Sequence, residues 1–510
     1  MGSRTGTGEG SVDPSTPVLV GWASVSRREP DHTASPEAAA LMIEATQSML
    51  PTPLADSVLG EVDWIGATDG LTVYADPGRI VAEAMGAPGA HTVLAKVGVM
   101  QQTLLSEACR RVQAGTSQLA LVVGAEARYR DVRARAAGEV ASITAQPAGT
   151  VPDETLTVEA ELVLRAEVDA GLGGAPGFYA LLDSEWRVAH GRGLDAHRDD
   201  IARLYSRFTE IAAMNPHAVR PQVRSADWLR EHSDANPMVA FPYTKHMVST
   251  WTVDSGSALL FASASTASRL GIPRSTWLFP AAAVESNHVV PVTARTRPSQ
   301  PAAMRIMAEA VRREAEIDTA DIEILDLYSP MPVAVNAAAE GLNVPAGRDL
   351  TVTGGMSFAG GPFNSYVFDA LVAAAQRLSA EAGEYALVSS VSGLYTKQGL
   401  MILAAQPPRR PFTVVDVTDA VAQAEPALPV AEIADGYGTI VASTVTFAGN
   451  EAERAIVIVD LATGERTVAY SQDVAVIARF LTTDAPGRPV SVDRGVFAFA
   501  DPDPSVQSRS

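Results

Sequence analysis

Cysteine is all but missing from this 510-residue chain. The single one, Cys109, excludes an intrachain disulfide and a cysteine-based metal cluster. Lysine is nearly as scarce, standing only at Lys96, Lys245 and Lys397, so arginine supplies most of the positive charge. Positive charge itself is in deficit, 39 Lys and Arg against 59 Asp and Glu, a net charge of −20. That balance argues against nucleic acid or an anionic membrane as the main partner. A polyanionic ligand would need a local basic patch instead. There is neither an apolar run of spanning length nor a charged-then-apolar leader. A cytoplasmic protein is the expectation. What remains, 47% hydrophobic and 19% charged residues, describes an ordinary globular protein of about two to three domains.

Residues 1–16, rich in Gly, Ser and Thr, read as a disordered tail. Pro17 to Ala23 is a buried strand, and Ser35-Pro36-Glu37 starts a helix running to about Met49. Val62 to Ile65 is a short strand, and Tyr74 to Gly86 a turn and amphipathic helix. This alternation predicts an α/β protein with a doubly wound sheet. Gly98 to Gly115 is helical, with Leu104, Leu105, Ala108, Cys109 and Val112 on its apolar face, and strand Leu119 to Ala125 follows. The same layout recurs from Gly361 through a helix to about Leu378 and a strand at Ala386-Leu387-Val388, a weak internal repeat. Residues of about 140–245 interrupt the pattern, being polar, rich in Arg and His, and helical over Ser184 to Ala213. Arg198, Arg203, Arg207, Arg220, Arg224 and Arg230 there are either phosphate contacts or a solvated helical face. Gln406 to Pro411 is a Pro-rich linker. Beyond it, Phe412 to Val417, Gly438 to Thr446, Ala455 to Leu461, Arg466 to Tyr470 and Val474 to Phe480 read as strands, with further runs around Val490 and Val496. Thr463-Gly464 is a hairpin turn, and residues 411–503 together predict a small antiparallel barrel.

The chain is organised around Thr351 to Tyr366, TVTGGMSFAGGPFNSY. A β-branched run meets the pairs Gly354-Gly355 and Gly360-Gly361, with Ser357 between them and Pro362 at a helix's first turn. Glycine pairs let backbone approach a ligand closely, and the new helix's N–H groups and dipole face whatever sits over the loop. A tight strand-to-helix turn with no ligand accounts for the same residues.

This stretch resembles the Gly-Gly…Gly-His-Pro block of the thiolase superfamily. It is closest to the Gly-Gly-Pro-x-Asn-x-Tyr form of actinobacterial thiolase-like proteins of the acetyl-CoA acetyltransferase type. Asn236-Pro237…Pro242-Tyr243-Thr244-Lys245 and Val253 to Leu260 are similar to thiolases of the sterol-carrier type. The resemblance implies two βαβαβαββ halves, residues 17–272 and 273–408, in αβαβα layers. It makes 140–245 a loop domain over an acyl-CoA pocket and the C-terminal barrel OB-like. It further implies an acyltransferase of lipid metabolism that takes a coenzyme A thioester, with no other cofactor and no metal.

The catalytic parts do not follow. The resemblance puts the nucleophilic Cys of thiolases on Gly98 and their His on Gly361. The Asn-Glu pair that positions water falls near Ala334 and Val335, after Tyr328-Ser329-Pro330-Met331-Pro332. The last Cys falls on Ser392 or Gly393. Claisen chemistry needs a thiolate, a base and donors to the enolate oxygen; of these only backbone N–H groups near Gly98 and Gly361 remain. Polar groups do remain: Tyr328, Ser329, Ser357, Asn364, Tyr366, Tyr395, Lys397, Tyr243, Lys245 and His246. Each is either a structural hydrogen bond or an acid/base group with a shifted pKa. The expectation is an acyl-CoA-binding protein without the thiolase reaction. A retro-aldolase or lyase on a β-hydroxyacyl-CoA using Tyr or Lys is the alternative, as is a non-catalytic module presenting acyl-CoA to a partner enzyme. The stiff linker predicts a monomer or weak dimer with the barrel docked in cis.

Overall fold

The computed structural model describes residues 12–158, 160–300, 302–380 and 383–500. Strands β1 (Pro17–Arg27), β2 (Trp64–Thr68), β3 (His91–Ala95), β4 (Leu119–Ala127) and β5 (Glu154–Leu156) come first. Then follow β6 (Met238–Ala240), β7 (Tyr243–Thr244) and β8 (Asp254–Ser263). The first sheet has the order β1-β8-β4-β2-β3-β5. The second is built from β9 (Phe279–Ser286), β10 (Ile324–Asp326), β11 (Tyr385–Ser392), β12 (Lys397–Ala404) and β13 (Thr413–Asp416), in the order β10-β11-β12-β9-β13.

The weak repeat in the sequence is a repeat of topology. The run β1-β8-β4-β2 joins by antiparallel, antiparallel and parallel pairing. The run β9-β12-β11-β10 joins in the same three ways. Leu19 in β1 and Leu278, just before β9, exchange backbone hydrogen bonds of 2.8 and 3.1 Å, tying the sheets together. Between them lie two central helices, Gln101–Ala114 and Tyr366–Ala380. Leu104, Cys109, Val367 and Leu371 share one core with Leu19, Phe261, Val388 and Met401 from the sheets. The second helix, YVFDALVAAAQRLSA, is aliphatic and alanine-rich over most of its girth, as a helix covered on both sides must be, whereas the first keeps a polar side at Glu107, Arg110 and Arg111. Helices Ala38–Ser48 and Ala302–Glu314 cover the outer faces.

The inserted region carries helices Ala175–Ala189 and Leu194–Ala212. The single helical stretch expected over Ser184 to Ala213 is broken at Gly191, which adopts φ +62°. The barrel is closed: β14 (Gly436–Ala448), β15 (Glu451–Leu461), β16 (Arg466–Ser471), β17 (Pro489–Asp493) and β18 (Val496–Phe499) run β14-β15-β16-β18-β17 and back to β14. Its one parallel contact joins β16 to β18, an OB-like arrangement. Ile440, Val457, Val459, Phe480 and Phe497 fill its own core.

Three expectations need correction here. Phe412 to Val417 is no barrel strand: β13 adds in parallel to β9 at the edge of the second sheet, with Phe412 buried in the central core. Val474 to Phe480 is a helix, because the Asp473 side chain caps it by accepting from the N–H groups of Ala475 and Val476, at 2.8 and 3.0 Å. The expected tail is folded at its end, where the carbonyls of Pro14 and Thr16 accept from Ser265 and Ala264. Residues 1–11 of that tail, and 501–503 of the expected barrel, lie outside the described residues.

The barrel sits on the loop domain. Phe241 N–H donates to Val445 O at 2.8 Å, Thr444 Oγ1 donates to Phe241 O at 2.9 Å, and Ser443 N–H donates to Ser184 Oγ at 3.1 Å. Arg187 pairs with Asp484 at the same junction.

Candidate functional site

Each central helix is entered through a glycine, Gly98 after β3 and Gly361 after the Thr351–Thr353 run. Gly98 has φ +101°. Its carbonyl accepts from Ser392 Oγ and from Lys397 Nζ, both at 3.0 Å. Ser392 and Lys397 stand directly opposite each other where β11 pairs with β12, so one hairpin delivers both. Lys397 is buried. Desolvation lowers its pKa, and nearby Glu285 opposes that. Burial in turn raises the pKa of Glu285, against hydrogen bonds from Ser106 Oγ at 2.5 Å and Thr103 Oγ1 at 3.0 Å.

What approaches the glycines is protein. A Cβ on Gly98 would meet Val158 at 3.7 Å, and one on Gly393 would meet Leu162 at 2.6 Å. Both side chains come from the segment after β5. A Cβ on Gly361 would meet Met356 at 3.1 Å; on Gly354, Ala212 Cα at 2.6 Å; on Gly355, the Phe208 ring at 2.6 Å. The loop-domain helix Leu194–Ala212 thus takes the close approach that the first glycine pair was expected to offer a ligand. Gly354, Gly355 and Gly361 are closed to a ligand in this arrangement. The hydroxyl of buried Ser357 lies beside the Tyr205 phenol of the loop-domain helix and belongs to the same covered turn. Of the five expected ligand contacts only Gly360 borders open space, a cleft considered below. The Gly361 N–H, a candidate oxyanion donor, is already given to Thr250 O at 2.7 Å.

The remaining candidates divide into groups. Tyr366 donates to Asp326 Oδ1 at 2.7 Å. Asp326 Oδ2 accepts from Thr351 Oγ1, Thr353 Oγ1 and the N–H groups of Val352 and Thr353, at 2.7 to 3.1 Å. Burial holds both proton affinities up, and the adjacent carboxyl raises that of Tyr366 further. Tyr366 is therefore an anchor, not a free acid/base group. Ser329 Oγ accepts from Met356 N–H at 3.0 Å, and the Tyr328 ring stands edge-on to Tyr366, 5.7 Å between centroids. Burial pushes the Tyr328 phenol up to about 12. Asn364 donates to Asp69 O at 2.9 Å, and Tyr395 to Ala334 O at 3.2 Å. His246 is apart from these, 3.0 Å from Asn236 Oδ1 and edge-on to Trp228 inside the loop domain. Burial and the neighbouring Arg220, Arg224 and Lys245 push it down to about 4. Cys109 is fully buried in the central core with its thiol pKa pushed up, so it supplies no thiolate.

The six loop-domain arginines are engaged. Arg207 pairs with Asp349 and Glu210, Arg203 with Asp200, and Arg230 with Asp195, Asp199 and Glu231. Arg198 reaches Arg230 O, Arg220 the Ser357 carbonyl, and Arg224 lies over the Trp228 ring. Among the described residues no three His, Cys, Asp or Glu gather as metal ligands, and no helix is long and apolar enough to cross a membrane. Reasoning from the sequence missed Glu285, Asp326 and Asp369. Only their place at strand ends or a helix's first turn could have singled them out.

No family model matches the chain, and no curated protein matches it in sequence. Solved structures do match. A monomeric SCP2-thiolase-like protein type 1 from Mycobacterium smegmatis superposes with TM-score 0.81 at 27% identity, over 96% of this chain and 100% of that one. The chain has a thiolase-superfamily fold. The dimeric peroxisomal thiolase of Saccharomyces cerevisiae shares that fold at TM-score 0.57 and 13% identity, over 78% of this chain and 99% of that one. Human mitochondrial 3-ketoacyl-CoA thiolase, in a complex with CoA, does so at 0.55 and 13%, over 77% and 99%. Both thiolases leave more than a fifth of this chain uncovered.

Proposed function

We propose that this chain is a thiolase-fold, acyl-CoA-binding protein of lipid metabolism that does not carry out the thiolase reaction. The observation behind it is the occupancy of the expected catalytic positions. Gly98 and Gly361 have no reacting group, and Val158, Leu162 and Met356 stand against the glycines that replace the cysteines and histidine. A thioester at Gly98 would meet an ammonium and a hydroxyl already bonded to that residue's carbonyl, and no thiolate to take its acyl group. Acyl-CoA as ligand rests on the fold relationship and on the CoA complex of the human thiolase. With the arginines paired, the coenzyme would bind mainly through its acyl and pantetheine parts, once the segment carrying Val158 and Leu162 gives way. Thiolysis of acetoacetyl-CoA, followed by thiol consumption, should give no enzymatic rate; turnover of roughly 1 per second or faster overturns the proposal. Calorimetric titration with CoA and acyl-CoAs should show binding that tightens in Leu162→Ala. Silence with every thioester leaves only a protein-interaction role.

One observation favours a second reading, a lyase acting on a β-hydroxyacyl-CoA. Lys397 is a buried amine whose ammonium form is disfavoured, beside Gly98. As a neutral amine it could take the β-hydroxyl proton while the Cα–Cβ bond breaks, leaving a thioester enolate to be protonated at carbon and an aldehyde or ketone. Cleavage lost in Lys397→Met with the fold intact would establish this reading.

A monomer is the proposed state. β5 pairs with β3 through Val93 with Glu154, Leu94 with Thr155 and Ala95 with Leu156, and so covers the edge of the first sheet. Light scattering at micromolar concentration should return 53.4 kDa; twice that mass would show a surviving dimer interface.

A further inference from the structure

Strands β1 and β8 carry serines where a buried sheet ordinarily carries aliphatic residues. Ser24 stands opposite Ser257, and Ser26 opposite Ser255. Because side chains alternate along a strand, these four hydroxyls share one face. It is the face turned to the central layer, since Trp22, Leu259 and Phe261, at the same alternation, pack there. Packing alone selects against polar groups at such positions, because each must find a hydrogen bond or remain costly.

Three of the serines are accounted for. Asp369, in the first turn of the second central helix, accepts from Ser24 Oγ at 2.9 Å and from Ser257 Oγ. Ser26 Oγ lies 3.4 Å from His217 Nδ1. Ser255 is not accounted for: it is 8% exposed and its hydroxyl has no partner. It lines a small cleft of about 40 Å³ that also touches Ser24, Asp369, His217, Gly360 and Val372. An unmatched buried hydroxyl is costly, and a cleft beside it, apolar over most of its wall, is where a guest would supply the missing bond.

The lining decides what kind of guest. No lysine or arginine contributes to it. Burial raises the proton affinity of Asp369 against its two serine hydrogen bonds, and the nearby Asp326 carboxyl adds to the rise. An anion would meet the Asp369 carboxyl, with only uncharged donors in the lining to offset it: the Asn215 and Gln376 amides and the His217 ring, whose proton affinity burial lowers. A molecule that offers donors meets serine oxygens and a carboxylate, with Val372 and Gly360 accommodating a short carbon chain.

We propose that this cleft beneath the second central helix is a binding site for a small hydrogen-bond-donating molecule, a polyol or an alkylammonium, held by Ser255, Ser24 and Asp369. It is separate from Gly98, Ser392 and Lys397, none of which lines it. Saturation-transfer NMR on the full chain tests it, with glycerol, ethanolamine and methyl phosphate each at millimolar concentration. Glycerol or ethanolamine should bind, and the one that does identifies the guest as polyol or ammonium. Ser255→Ala, which breaks no hydrogen bond within the protein, should weaken that binding by about tenfold without lowering the melting temperature. Asp369→Asn should abolish ethanolamine binding, and methyl phosphate should bind neither protein. Binding of methyl phosphate alone, binding unchanged in Ser255→Ala, or no binding of either donor overturns the proposal.

Discussion

Placing a cysteine back at Gly98 should destabilise the protein and leave it unable to run the thiolase reaction. The residue sits at φ +101°, where a side chain costs about 1 to 3 kcal/mol in backbone strain. No clash adds to this, since the new Cβ would touch Val158 only at an ordinary 3.7 Å. Gly98→Cys should therefore lower the unfolding free energy from urea titration by about 1 to 3 kcal/mol. The thiol would stand three residues before the helix Gln101–Ala114, near a dipole that favours thiolate. Yet no imidazole stands at Gly361, whose side-chain space holds Met356, and no second thiol stands at Ser392 or Gly393. The departing enolate would find neither a second thiol to protonate it nor an oxyanion donor at Gly361, whose N–H is already committed to Thr250. Thiolysis of acetoacetyl-CoA should stay far below about 1 per second. A variant as stable as the parent refutes the strain argument, and one with thiolase turnover refutes the reading of the site.

The other predictions are thermodynamic. Tyr366→Phe leaves Asp326 one donor short and should cost about 1.5 to 3 kcal/mol by urea denaturation; a loss of only a few tenths would show that the phenol does not hold that carboxyl. Glu126 is buried, with its carboxyl pushed up to about 7 by desolvation against one N–H bond from Leu71. A raised carboxyl favours the folded state most below its unfolded pKa, and that stability is lost as pH climbs through 7. Glu126→Gln removes the titration, so its stability relative to the parent should rise by up to about 3 kcal/mol between pH 5 and 8; parallel pH profiles for the two proteins would contradict this.

Much of the fold was legible because its signals are local and repeated. The Gly-to-helix-to-strand layout at Gly98 and again at Gly361 corresponds to two sheets joined in the same sequence of pairings. Short segments without a decisive local signal went wrong. Phe412 to Val417 alternates like a barrel strand, but an equally good partner, β9, lay across the fold, and nothing in six residues reveals that choice. Val474 to Phe480 is β-branched enough to suggest a strand, and the single Asp473 cap outweighed that preference.

The site was legible as positions and not as contacts, and the physical reason lies in glycine itself. A missing Cβ states that something comes close without stating what. At Gly354 and Gly355 the visitor is a helix more than 140 residues earlier in the chain, at Gly361 a methionine five residues away, and at Gly98 a valine from the segment after β5. The same ambiguity runs through the polar candidates: Tyr366 has the environment of a shifted acid, yet four donors from the Thr351–Thr353 run bind its carboxyl partner and turn the pair into a fixed joint. Serines at alternate positions of β1 and β8 carry the opposite lesson. Their signal was present in the sequence, as Ser24-Val25-Ser26 and Ser255-Gly256-Ser257, but it gained meaning only when pairing put the four hydroxyls on one face. Close approach filled by protein at one set of glycines, and an unfilled hydroxyl across the central helix, together shift the place to look for a ligand from Gly98 toward Gly360.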